Sequence, residues 1–392
     1  MPIINRVADL HDEITEWRRD LHANPELGYD VHRTAGVVAE KLREFGLDEV
    51  VEGIGKTGVV GVIKGRRTGS GRVIAMRADM DALPIHEATG LPYASKTEGR
   101  MHACGHDGHT AMLLGAAKYL AETRNFDGTA VLIFQPAEEG GAGGQAMVED
   151  GMMDRFAIQQ VFGLHNFPGI PLGRFAIRPG SVMASTDEFT IDLEGKGGHA
   201  AKPHECIDTT LVAAQLMQAL QSVVARNVDP VESAVLSITA LHTGGDAFNV
   251  IPQTVHMKGT VRALKPEIRA LVEQRLRAVT DGIAAAFGAT VRLDFRTGYP
   301  VTVNHEAETA FAADVAEAVA GAGRVERDMA PLLGGEDFSY LLEARPGAFI
   351  FMGNGDTAMV HHPQYDFSDE AIPYGVSYWA RLAETAMPAG QT

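Results

Sequence analysis

Cysteine is scarce in this 392-residue chain, where Cys104 and Cys206 are the only two. Two such residues cannot build a disulfide framework, which excludes a small secreted scaffold and predicts a reducing, cytoplasmic setting. Basic charge is also short: 34 Lys and Arg face 51 Asp and Glu, for a net charge of −17. That balance disfavours nucleic acid and anionic membrane surfaces, which recruit basic patches. A small anionic substrate would need local positive groups to offset the field. No apolar run approaches the ~20 residues of a membrane helix. Near the N-terminus, Asp9, Asp12 and Glu13 arrive before any apolar signal core. No Gly-x-Ser-x-Gly elbow is present to suggest a serine hydrolase. Gly55-Lys56-Thr57 lacks the glycine of a phosphate loop, because Val50 stands at that position.

What is present is ordinary globular material, 45% apolar and 22% charged. At roughly 150 residues per domain the length predicts about two or three domains. Residues 5–45 read as helix, interrupted at Asn24-Pro25. Apolar runs at 59–63, 73–78 and 130–134 read as strands, and 110–124 as the helix between the last two. That order predicts an α/β layer with a mixed, mostly parallel sheet.

A different pattern occupies 183–297. Strands at 187–193, 234–241, 254–263 and 290–296 alternate with helices at 208–226 and 265–287. The order β-α-β-β-α-β is that of a ferredoxin-like α+β unit. Helix and strand patterns of the first kind resume afterwards, at 306–320, 348–352 and 370–387. The chain therefore reads as a discontinuous catalytic domain, 1–182 and 298–392, with 183–297 inserted as a lid or dimerisation domain.

Chemistry concentrates in the run from Arg100 to Thr110, which holds His102, Cys104, His106, Asp107 and His109 where a loop leads into a helix. Cys104 and His106 point to one side in extended backbone, and thiolate with imidazole suits Zn²⁺, with Mn²⁺, Co²⁺ and Ni²⁺ also fitting. The bland alternative is a polar loop around a buried thiol. Next, Glu138 and Glu139 follow the apolar run 130–134, at a strand end where α/β sheets place ligands. Adjacent side chains diverge, so one carboxylate can bind metal while the other acts as general base. A solvated turn is the competing reading there. His165 ends another apolar run, and His361-His362-Pro363 lies in a late loop. Either could be an ordinary edge or surface histidine. The glycine-rich stretch 140–144 reads as a flexible loop, and His204 with Cys206 lacks the further partners a metal site requires.

In order along the chain stand His102-Ala-Cys-Gly-His-Asp-Gly-His109, Gln135-Pro-Ala-Glu-Glu-Gly140, Gly163-Leu-His165, Gly197-Gly-His199-Ala, Asn249-Val-Ile-Pro252, Gly335-Glu-Asp-Phe338 and His361-His-Pro363. Together they resemble the M20 family of metal-dependent amidohydrolases, in the branch of hippurate hydrolases, N-acyl-amino-acid aminoacylases and auxin-conjugate hydrolases. Arg77-Ala-Asp79-Met-Asp81 resembles the His-x-Asp strand end of M20 peptidases, with Asp79 where they carry a metal-binding His.

The resemblance implies two divalent metals held by Cys104, His106, Glu139, His165 and His361, with Cys104 bridging and His362 the alternative to His361. It implies Glu138 as general base, His199 as an oxyanion donor reaching a neighbouring subunit's site, and a homodimer or higher homo-oligomer formed through the inserted domain. By looser analogy Asn249 and Arg262 would hold the substrate carboxylate, and Asp81 would support the ligands from behind. The implied activity is hydrolysis of an N-acyl amino acid to a carboxylic acid and a free amino acid. Alternatives are a dipeptidase, an N-acetyl-diaminopimelate-type deacetylase, or a binding protein that keeps the metals without hydrolysis.

Overall fold

The computed structural model describes residues 3–389, so the ends of the expected catalytic domain, 1–2 and 390–392, lie outside it. The chain divides into two compact units. One comprises the chain up to Val182, Val303–Ala330 and the chain from Asp337 on. The other is Met183–Thr302 with Pro331–Glu336.

The first unit is built on a sheet ordered Glu49–Ile54, Gly58–Lys64, Thr129–Gln135, Val73–Asp79, Gln160–Phe167, Gly347–Gly353, Phe175–Ala176, Val325–Glu326. The four strands from Thr129–Gln135 to Gly347–Gly353 run parallel to one another. Successive residues in these strands are buried, the pattern of a sheet covered on both faces. All four C-terminal ends therefore share one edge, where open α/β sheets bind ligands. The sheet is mixed because Gly58–Lys64 pairs antiparallel with both neighbours. Behind it, Ala111, Met112, Leu114 and Leu120 of helix His106–Thr123 pack with Val376, Trp379 and Ala383 of helix Ile372–Ala386.

One local expectation is corrected. The glycine-rich stretch is not all loop: residues Gly143–Glu149 form a helix. The buried Asp337 carboxylate accepts the N–H of Gly144 at 2.8 Å. It thereby satisfies an orphan donor of the first turn, which glycine propensity alone does not reveal.

The second unit holds an antiparallel sheet ordered Ala234–Thr243, Thr254–Ala263, Ser185–Glu194, Thr290–Thr297. Its helices are Thr209–Asn227 and Pro266–Phe287, which gives the β-α-β-β-α-β connectivity. Asp208 caps the first helix by accepting from Thr210 N and Leu211 N. Phe189, Ile191 and Leu193 alternate inward onto Val212, Leu216, Val272 and Leu276. This unit extends past the anticipated limit of 297, because Tyr299 O accepts from Thr186 N at 3.0 Å. It also takes Pro331–Glu336, whose Leu332 and Gly334 carbonyls receive the N–H of Ala184. Among the described residues no helix is long and apolar enough to cross a membrane.

Candidate metal centre

Helix His106–Thr123 starts at Gly105, whose φ of +91° is a left-handed conformation. A Cβ there would lie 2.2 Å from Asn166 Nδ2 and 2.5 Å from the Tyr365 hydroxyl, so only glycine fits. In the first turn, His106, His109 and Thr110 share a face at i, i+3 and i+4. That face meets Asp79, the last residue of its strand: Thr110 Oγ1 donates to Asp79 O at 2.7 Å. Asp107 points away and lies 2.8 Å from His22 Nδ1.

The strand ends deliver the remaining groups. Asp81, just past Val73–Asp79, accepts Glu138 N at 2.9 Å and Glu139 N at 3.1 Å on its two oxygens. One carboxylate thus fixes the peptide backbone of both glutamates. His165 comes from Gln160–Phe167. His361 follows Gly347–Gly353 in a loop where its φ is +67°, a strained value for a residue with a Cβ. Its N–H donates to Ala103 O at 2.7 Å, which brings it against the Cys104 loop.

These residues converge. Cys104, His106 and His165 present ligand atoms within 4.8 Å of one another, as do Cys104, Glu139 and His361. Cys104 belongs to both groups. His106, Glu138 and Glu139 form a third such set. Cys104 Sγ lies 3.4 Å from His165 Nε2, and His361 Nε2 lies 3.4 Å from Glu139 Oε1. His362 turns elsewhere, its Nδ1 accepting from Gln364 N.

The donor atoms suit divalent metal. His106 Nδ1 lies 2.8 Å from Asp81 O, and His165 Nδ1 lies 2.6 Å from Asn166 O. Carbonyls only accept, so each ring keeps a proton on Nδ1, which leaves Nε2 as the nitrogen that can ligate a metal. His106 Nε2 is buried with no hydrogen-bond partner. In the absence of a cation the surroundings favour the protonated forms of both His106 and Cys104. Burial lowers the His106 pKa, yet Asp79, Asp81 and Glu139 outweigh it and hold it up to about 10. Burial and the charges of Glu139, Glu138 and Asp79 push the Cys104 thiol well above its usual range. A pocket this rich in carboxylates calls for cations, and bound metal would draw both groups to their ligating forms.

Behind the ligands lie residues that motif reading did not resolve. Arg77 reaches Asp79 at 2.7 Å, Asp337 at 2.9 Å and Gln135 Oε1 at 2.9 Å, all buried. His102, in the richest motif, belongs to no ligand group among the described residues. Burial pushes its pKa down to about 4, so it is a neutral core ring. His109 belongs to the same histidine-rich run, and its i, i+3 spacing from His106 is the sequence signal that puts the two on one helix face.

The other anticipated substrate residues lie in the second unit. His199 is exposed in a short ribbon, Gly198–His199 paired with Val250–Ile251, and Asn249 O accepts Ala200 N at 2.9 Å beside it. Arg262 sits at the far end of Thr254–Ala263, about 26 Å of strand from Thr254. Within this unit the structure joins His199 with Asn249 and leaves Arg262 apart.

Residues 75–385 match the peptidase family M20/M25/M40, and the chain belongs to that family. It is an amidohydrolase of the M20 type. Its relatives include hippurate hydrolase of Campylobacter jejuni, 45% identical over 383 residues, 98% of this chain and 99% of that protein. N-acetyl-L-cysteine deacetylase of Bacillus subtilis is 44% identical over 367 residues, 93% of this chain and 86% of that protein. Among solved structures, the Bacillus subtilis YXEP protein, described as a dinuclear metal binding peptidase, has a TM-score of 0.83 at 36% identity, covering 98% of this chain and 100% of that one.

Proposed function

We propose that this enzyme hydrolyses the amide bond of N-acyl amino acids, hippurate-like substrates above all, to a carboxylic acid and a free amino acid. One observation carries the reading: Cys104 is shared by two ligand groups, and Glu138 and Glu139 stand side by side at their edge. Cys104, His106, His165, Glu139 and His361 would hold two divalent cations, Mn²⁺ or Zn²⁺, with Co²⁺ and Ni²⁺ also suited to the donors. When bound, such cations supply Lewis-acid polarisation of the carbonyl and acidify water. Glu138 takes the proton from water as its oxygen bonds to the acyl carbon, then delivers that proton to the amide nitrogen as the C–N bond breaks. Asp81 holds the backbone that aims Glu138.

In this reading the second unit is a lid and dimerisation domain. His199 donates to the developing oxyanion, a contribution worth about 3–4 kcal/mol for one donor. Asn249 and Arg262 hold the substrate carboxylate, and their separation within one unit favours a homodimer that shares each site between subunits. The free thiols of Cys104 and Cys206 fit a cytoplasmic enzyme.

Glu138→Gln is expected to abolish turnover while metal content stays at the wild-type level. Loss of metal together with activity would make Glu138 a ligand and overturn its role as base. Rates on N-benzoylglycine, N-acetyl amino acids and free dipeptides test the substrate class. Highest kcat/KM on dipeptides would assign a dipeptidase, and substrate bound intact in the presence of Mn²⁺ would assign a binding protein. Mixing inactive His199→Ala with inactive Glu138→Gln subunits is expected to restore partial activity. Mixed dimers that stay inactive would remove His199 from the neighbouring site.

A further inference from the structure

Asp79, His106 and His109 also present three ligand atoms within 4.8 Å, all buried. Their hydrogen bonds take His109 out of the set of available ligands. Asp79 Oδ1 lies 2.6 Å from His109 Nδ1, while Asp79 Oδ2 accepts from Arg77 Nη1 at 2.7 Å. His109 Nε2 in turn accepts the backbone N–H of Asn166 at 2.9 Å. An acceptor on one side and a donor on the other leave His109 a single arrangement, proton on Nδ1 and lone pair on Nε2. His109 has no lone pair left for metal, and both Asp79 oxygens already accept a hydrogen bond.

From these contacts we infer that His109 is a positioning residue for the metal ligands, its tautomer set by Asp79; the inference rests on reading Cys104 and His165 as ligands. The chain of contacts is continuous. Asn166 is the residue after His165, and its carbonyl accepts from His165 Nδ1 at 2.6 Å. Its side chain donates from Nδ2 to the carbonyl of Cys104 at 2.7 Å and accepts from the Tyr365 hydroxyl at 2.7 Å. The His109 ring also packs edge-on against His165, with centroids 4.5 Å apart. Asn166 thus holds both ligands from behind, and His109 holds Asn166. Arg77 supplies the direction: with Asp79 Oδ2 taken by the guanidinium, only Oδ1 can face the imidazole.

Asp79→Asn tests the polarity. Arg77 still requires an oxygen, so the new amide must turn its NH₂ toward His109 Nδ1. The ring then carries its proton on Nε2, facing the Asn166 N–H donor to donor. His109→Gln keeps an acceptor near Asn166 without altering charge, and His109→Leu removes both bonds. Metal-free wild type and variants would be titrated with Co²⁺, following the thiolate-to-Co(II) absorption of Cys104, with Tm and far-UV CD of the metal-free proteins alongside. Outer partners of metal ligands are worth about 10–100-fold in affinity. Asp79→Asn and His109→Leu are expected to weaken Co²⁺ binding within that range and shift the absorption band, with His109→Gln recovering part of the loss. Wild-type affinity and an unchanged band in all three would overturn the inference. So would losses that merely follow Tm, with no rescue by glutamine. A wild type that binds no Co²⁺ would instead overturn the metal reading itself.

Discussion

The guanidinium of Arg77 and the carboxylate of Asp337, 260 positions apart in the chain, meet at 2.9 Å with neither exposed to solvent. Asp337 also accepts from Gln135 Nε2 and Gly144 N, while Arg77 reaches Asp79. Two parallel strands and a helix start are thus tied together beneath the candidate site. Removing one partner of a buried pair leaves the other charge stranded, at about 3–5 kcal/mol. Arg77→Met is therefore predicted to lower unfolding free energy by about that amount, read by urea denaturation. A loss below about 1 kcal/mol would show that the charges are better solvated than their burial implies.

The shared position of Cys104 makes a prediction about stoichiometry. Cys104→Ser is expected to lower the content of both ions, because the sulfur belongs to both ligand groups. His361→Ala removes a member of one group only and should lower one. His362→Ala should leave metal content and rate near wild type. Elemental analysis of dialysed protein checks all three, and equal losses at His361 and His362 would contradict the loop geometry.

Stability should depend on pH through His22. Burial lowers its pKa from 6.5, but hydrogen bonds to Asp107 and Glu87 more than compensate and hold it up to about 9. A raised folded pKa means that the stabilisation is fully present below about 6.5, the unfolded value, and is lost as pH rises through about 9. The shift corresponds to about 3 kcal/mol. Wild type is predicted to lose that much between pH 6.5 and 9 relative to His22→Gln, measured by urea unfolding across the range. Parallel profiles for the two proteins would refute the assignment.

Asp81 aims two glutamates with one carboxylate. Asp81→Asn must point an NH₂ at the N–H of either Glu138 or Glu139, so one peptide is displaced. We predict a fall in kcat of about 10–100-fold with a smaller change in KM. A KM-dominated effect would place Asp81 in substrate binding instead.

Much of this was legible along the chain. Helix His106–Thr123 and the strand ends carrying Asp79, Glu138 and His165 follow from apolar runs and the residues that close them, because periodicity is local. The helix at Gly143–Glu149 was hidden, since the carboxylate that satisfies it sits at position 337. The extent of the second unit along the chain was hidden too. Pro331–Glu336 joins the second unit through backbone hydrogen bonds to Ala184 that no side-chain pattern announces.

The sequence by itself determined the donor types and their order: a thiol, imidazoles and paired carboxylates placed just past apolar strands. Only the tertiary structure decided which of them meet. It turned His361 and not His362 toward Glu139, withdrew His102 into the core, and bound Asp79 to Arg77 and His109. The physical reason is that ligation needs lone pairs within a few ångströms. Which lone pair is free depends on hydrogen bonds contributed by residues far away in the chain.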